Sequence, residues 1–374
     1  MINIFSRKIL IVHFIIILLF FSCKNNQSNI SISSPKDCFA DSVVLGNINT
    51  DCRVWLKQNE KDFELLKGEI LYRYNSKTKT FDSIVNLFGK QTDDVFKVAD
   101  DYYFDRRNRP NNLIRVFRDS MQYVPLPSSL YSLDGKQYIL QLHSYNTFVK
   151  LADNKFIAPA LYINDSNASD VSGYLNKHNH DMLGIFKIEN NNKVVLKELI
   201  NPYPRKNFIL NEKRCLSISL SMCQSNNNFF VVPNFLDTIF RYNFKGDLIE
   251  SIKLPDAIEF MYYNNEKIDT LNSKSFAHSE ITGFKNLLLQ YNQSENHLIL
   301  ITLVGLDQSK DYTVTPSLDE MDWFVSVYDL NKHEWTKVIR FTRDQDIRNL
   351  IFAHKNILVK RNNSKRLIFD EYVY

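Results

Sequence analysis

The sequence predicts an all-β fold, a six-bladed β-propeller, on three observations. Strand-turn-strand units recur from residue 70 to the end of the chain, and no helical interlude separates them. Phe and Tyr number 27 and 19 against only nine Gly, an aromatic density that suits half-buried strands better than helices. Repeated four-stranded meanders without helices are how a propeller is written, each meander forming a blade whose innermost strand lines a central channel. A large β-sandwich is the other arrangement open to the same strands.

The first 22 residues stand apart from that pattern. Arg7 and Lys8 precede an apolar run of 13 residues, 9–21, interrupted only by His13. Such a run is well short of the roughly 20 residues that cross a bilayer as a helix, so it reads as a secretory signal, removed on export. Ser22-Cys23 at its end resembles the lipobox of bacterial lipoproteins, which implies that Cys23 is acylated and becomes the mature N-terminus. Phe20 and Phe21 depart from the aliphatic and small residues usual in that motif, and an ordinary signal peptide with a chance cysteine is the alternative. Two or more acyl chains on Cys23 would hold the protein firmly to a membrane, since each buried methylene contributes about 0.8 kcal/mol. Lys24 stands where an Asp would resemble an inner-membrane retention signal, so the expected location is the outer membrane.

Residues 24–36 (KNNQSNISISSPK) are Asn- and Ser-rich and are expected to form a flexible tether behind the acylated Cys23, leaving residues 37–374 as the folded domain. Residues 42–45 form a spare short strand. The last unit offers only three strands, at 350–353, 357–360 and 365–372, so the spare strand is expected to complete that blade and cover its edge. The chain's two ends would then close the ring in one sheet.

Between them lie the repeats. Residues 229–232, 238–243 and 248–254 make three consecutive antiparallel strands, with Lys245-Gly246-Asp247 as a tight turn. Similar pairs occur at 70–75 with 81–85, 102–104 with 113–117 and 123–126, 183–188 with 194–200, and 324–329 with 335–341. The third strands end in a shared way, in Tyr-Asn, Arg-Asp, Tyr-Asp or Phe-Asp. The count is six blades, or seven if residues 256–286 hold another.

The lipobox-like Cys23, the VVPNFLDTIFRYNFKGDLI unit and the terminal NILVKRNNSKRLIFDEY together resemble the six-bladed, TolB-like propeller lipoproteins of Gram-negative bacteria, a group largely without assigned function. The resemblance covers residues 37–374. It implies a fold and a location, and no reaction.

Composition narrows the function. Removing residues 1–22 takes away Arg7 and Lys8, leaving 44 Lys and Arg against 42 Asp and Glu, a net of +2. That is no basic footprint for nucleic acid. Of the four later cysteines, Cys38 with Cys52 and Cys215 with Cys223 is one of three possible pairings, and buried free thiols in strands are the alternative for the latter two. No phosphate loop, nucleophile elbow or zinc-ligand spacing is present, and no cofactor or metal is expected.

The long loops joining second to third strands carry the candidate binding residues. Arg106, Arg107 and Arg109 lie in one, suited to carboxylate recognition or simply a charged hairpin tip. His178 and His180 lie in a second, and a third, 305–322, is acidic. Tyr162, Tyr174, Tyr312 and Trp323 are aromatics that would stack on a sugar or cap the blades. The expected function is a membrane-anchored binding or scaffolding module for a protein, peptide or glycan. The alternative is a propeller hydrolase or lyase with a metal in the channel.

Overall fold

A computed structural model describes residues 30–44, 53–55, 64–67, 70–75, 80–86, 94–98, 101–105, 112–117, 120–125, 131–133, 135–140, 149–152, 154–163, 182–189, 194–200, 220–233, 236–258, 285–303, 321–342, 345–353, 355–361 and 368–374. Apart from one four-residue helix, every regular element among them is a β-strand.

The strands form six sheets taken in chain order. Sheet 1 holds β3 (Arg53–Trp55), β4 (Glu64–Lys67), β5 (Ile70–Asn75) and β6 (Thr80–Asn86), and sheet 2 holds β7 (Asp94–Val98), β8 (Asp101–Asp105), β9 (Asn112–Phe117) and β10 (Ser120–Pro125). Sheet 3 is the elaborate one. Its long β14 (Lys155–Ile163) pairs on one edge with both β12 (Lys136–Leu140) and β13 (Val149–Ala152), and on the other with β15 (Met182–Ile188), followed by β16 (Val194–Ile200); β11 (Tyr131–Leu133) extends β12. Sheet 4 comprises β17 (Leu220–Gln224), β18 (Asn228–Pro233), β19 (Thr238–Asn243) and β20 (Leu248–Lys253). Sheet 5 comprises β21 (Lys285–Asn292), β22 (His297–Leu303), β23 (Trp323–Asp329) and β24 (Glu334–Phe341).

In sheet 4 burial falls toward the outermost strand: β17 and β18 are buried on both faces, β19 alternates, and β20 is mostly exposed. The apolar run FFVVP therefore belongs in the middle of the molecule and the mixed LIESIK at its rim. In sheets 1, 3, 4 and 5 the pairing of third and fourth strands shifts register once, at Leu71/Tyr72, Ile185/Phe186, Arg241/Tyr242 and Val327/Tyr328. A bulge at the same place in four sheets adds right-handed twist to the outermost strand. It also explains Ile249, half exposed because it is the residue the shift leaves without a partner.

Twisted in this way, the outer strands meet end to start. Gly246, before β20, lies against Ile200 at the end of β16, and the Trp335 indole, at the start of β24, donates to the Lys253 carbonyl at the end of β20 at 2.8 Å. Between neighbouring sheets lie apolar clusters. Leu183, Ile185 and Ile200 pack with Met222, Val231 and Phe240; Phe230, Ile239 and Ile252 with Leu289, Leu300 and Trp335; Ile301, Trp323 and Phe341 with Ile357, Val359 and Tyr372.

Sheet 6 joins the ends of the chain. Its order is β25 (Gln345–Ala353), β26 (Asn356–Arg361), β27 (Ile368–Val373), then β2 (Phe39–Val44), which runs antiparallel to β27 with Ser42 opposite Asp370. The spare N-terminal strand thus takes the outermost place, as its sequence position implies, and β25 touches β3 of sheet 1.

Residues 30–36, expected as coil, are ordered. β1 (Ile32–Ser33) adds in parallel to β24, with Ile32 opposite Val338 and Ser33 opposite Ile339. Ser34 then caps the helix α1 (Pro35–Cys38), its hydroxyl accepting from the Lys36 N–H while Asp37 accepts from the Ser34 N–H. The reason is burial: Ile30 packs on the clusters around Trp335 and Val338, and Cys38 is buried between sheets 5 and 6. Two apolar side chains are enough to seat a polar segment against an open strand edge.

Candidate functional site

In an antiparallel meander, the connections from second to third strand leave from the same end as those from fourth strand to the next first strand. At that end run 106–111, 164–181, 201–219, 254–284 and 304–322. The opposite end has 56–63, 76–79, 99–100, 118–119, 153–154, 189–193, 225–227, 244–247, 293–296, 330–333 and 354–355, while 141–148 joins β12 to β13 along one edge of β14. Every connection longer than eight residues is at the first end. Connections of that length in compact domains are concentrated at functional sites or in linkers.

Arg106, Arg107 and Arg109 fall in the connection after β8, His178 and His180 in that after β14, and Tyr312 in that after β22. These six residues, with Tyr174, Cys23, Cys52 and Cys215, lie outside the described residues, as does most of the stretch weighed as a seventh blade. Strand direction assigns the three connections to one end; it does not bring individual side chains together.

Trp323 is a correction. As the first residue of β23 it is fully buried, stacked on Phe341 with ring centroids 4.3 Å apart, so it is core and not a platform for a sugar. The strand WFVSVYD is buried at every position and gives no outward face from which an aromatic could point. Its neighbour Asp322, from the acidic stretch, is already engaged, accepting from Nε and Nη2 of Arg340 at 3.2 and 2.8 Å. Cys38 and Cys223 are buried free thiols, and burial raises the Cys223 pKa well above its ordinary value.

A polar cluster that the sequence did not single out occupies the short-turn end, between sheets 5 and 6. His297 Nε2 lies 3.6 Å from Asp329 Oδ2, and the imidazole tilts against Tyr374 with ring centroids 5.9 Å apart. Asp329 Oδ1 accepts the backbone N–H groups of Asn331 and Lys332 at 2.8 and 3.2 Å. Burial pushes the Asp329 carboxyl up, but those two bonds and the charges of His297 and Lys332 outweigh it and leave it below the usual carboxylate value. Tyr374 accepts from Asn292 Nδ2 at 2.6 Å, and burial moves its phenol up to about 12. His297 Nδ1 is buried with no hydrogen-bond partner among the described residues. The arrangement pins two hairpin turns to the C-terminal strand. The readable signal for it was Asp329 at a strand end before Asn331-Lys332, a side chain placed to cap a turn.

A second buried network serves the same purpose at the long-connection end. Asn286 Nδ2 donates to the carbonyls of Pro233 and Leu236 at 3.0 and 2.7 Å, while Thr302 donates to its Oδ1 at 3.1 Å. Among the described residues there is no group of three or more His, Cys, Asp or Glu side chains placed to hold a metal.

No protein-family model matches the sequence, and no curated protein matches it. Among solved structures, a member of the DUF4221 family from Bacteroides vulgatus is similar over 93% of this chain and 99% of its own, with a TM-score of 0.62 at 10% identity. A catalytically inactive virginiamycin B lyase from Staphylococcus aureus with quinupristin covers 89% of this chain at a TM-score of 0.39, and a streptogramin B lyase 91% at 0.40, both at 10% identity. The sheets and the first of these likenesses define the class: the chain folds as a β-propeller.

Proposed function

We propose that this is a TolB-like, six-bladed propeller lipoprotein of the cell envelope, acylated at Cys23, held at the outer membrane, and acting as a binding or scaffolding module for a protein, peptide or glycan. The observation that supports a binding role is the sorting of the connections. All those longer than eight residues share one end, whereas most at the other end are tight turns. A rigid ring with a variable rim is the arrangement in which loops are free to recognise a partner while strands hold the frame. Within that rim, Arg106, Arg107 and Arg109 suit an anionic group, with Arg's planar fork matching a carboxylate. His178, His180 and Tyr312 belong to the same rim and would contribute polar and aromatic contacts. The test is photocrosslinking in cells of a probe at Arg107, with identification of the crosslinked partner. Replacing Arg106, Arg107 and Arg109 together by Ala should weaken purified binding at least about tenfold, or about 1.4 kcal/mol. Equal binding by this variant and by a Lys77→Ala/Lys79→Ala control removes the rim assignment.

A further inference from the structure

We infer that the membrane lies on the side of the ring that carries sheet 5, so that the opposite wall, that of sheet 2, is kept off the lipid. The inference rests on the acylation of Cys23 proposed above, and adds to it an orientation. Ile30 is seated on the wall where sheets 4 and 5 meet, and Ile32 continues along β24 as the outermost strand of sheet 5. Six residues lie between Cys23 and Ile30, so the two are seven Cα–Cα steps apart. Fully extended they span at most about 25 Å. A domain of this length has a radius of gyration of about 20 Å, hence a diameter of about 50 Å. The covalent leash is therefore half as long as the molecule is wide and cannot bring the wall of sheet 2, across the ring, to the lipid surface. A coil of the 13 residues 24–36 would have allowed much freer tumbling; the docking of residues 30–36 removes that freedom.

The wall itself is compatible with headgroups. Ile32 is 43% exposed on β1, with the exposed Lys36 and Asp37 just beyond it and Lys337 beside its partner Val338, an apolar side chain among charged groups of both signs. Met121 on β10 is the matching exposed apolar residue on the opposite wall.

The experiment uses the full chain, purified with its lipid and reconstituted into vesicles of phosphatidylethanolamine and phosphatidylglycerol, with a photoreactive diazirine residue replacing either Ile32 or Met121. Lipid adducts at position 32 are expected to exceed those at position 121 several-fold. Insertion of about eighty Gly and Ser residues after Lys24 is expected to equalise the two positions, because the root-mean-square span of the linker, about 50 Å, then matches the domain's width. Mass analysis of the Cys23 peptide from the same samples separates the two readings. Equal labelling on acylated protein overturns the orientation alone; a bias that survives the insertion overturns the leash as its cause; a Cys23 without acyl chains overturns the anchor and the orientation together.

Discussion

The Ser42 hydroxyl donates to the Asp370 carboxylate at 2.8 Å across 328 residues of sequence, tying the outermost strand of sheet 6 to its neighbour. A partly buried bond to a charged acceptor contributes about 1–2 kcal/mol. Ser42→Ala should lower the unfolding free energy by that amount in urea titration. Deleting residues 365–374 removes β27, opens one edge of β26 and leaves β2 unpaired, and should abolish cooperative unfolding; an unchanged transition would mean that the ends do not close the ring.

Acylation is tested most directly at its own residue. Cys23→Ser should move the protein from the membrane fraction to the soluble fraction or leave it unprocessed, and labelled fatty acid retained by the variant would overturn the anchor.

Gly246 should resist substitution for two reasons. Its φ of 88° is strained for any residue with a side chain, and an added Cβ would lie 3.0 Å from Ile200 of sheet 3. Asn243 Oδ1 accepts the N–H groups of Lys245 and Asp247 at 2.9 and 3.0 Å, fixing the same turn. Gly246→Ala should lower stability by about 1–2 kcal/mol; calorimetry of the variant decides it.

Trp323→Ala should lower stability by about 3–5 kcal/mol, as emptying a fully buried aromatic site does. Its affinity for any partner, measured where the variant is still folded, should be unchanged. Trp323→Phe should be milder, because the indole N–H has no acceptor among the described residues and its loss leaves no bond broken.

Asp329 sets an acid limit. Its folded-state pKa is depressed, so its contribution to stability is fully present above the unfolded value of about 3.9 and is lost as pH falls through the folded value. The stability difference between wild type and Asp329→Asn should therefore be largest near neutrality and shrink as pH drops below about 4. A difference independent of pH over that range would show that hydrogen bonding alone, not charge, holds the turn.

The hairpins were legible because their chemistry is local. Thr238–Asn243 is bounded by Asp237 and by Lys245-Gly246-Asp247, and the strand is found with those limits. Closure was legible because one strand was left over at one end and one place at the other. Sidedness was not: in β23 every position is buried, so nothing in WFVSVYD distinguishes a residue facing a neighbouring sheet from one facing a ligand. β1 was hidden for a different reason. Its composition predicts coil, and only the open edge of β24, a non-local feature, makes Ile30 and Ile32 worth ordering.

The pairing of β2 with β27 also sets a timetable. The chain is made from its N-terminus, at about 5–20 residues per second, so the partner of Ser42 is not synthesised until some tens of seconds after it. Throughout that interval β2 is an unpaired strand in a chain full of strand edges. Its sequence FADSVV places Asp41 and Ser42 at the centre, a charge and a hydroxyl that discourage pairing with the wrong edge while the right one is still to come.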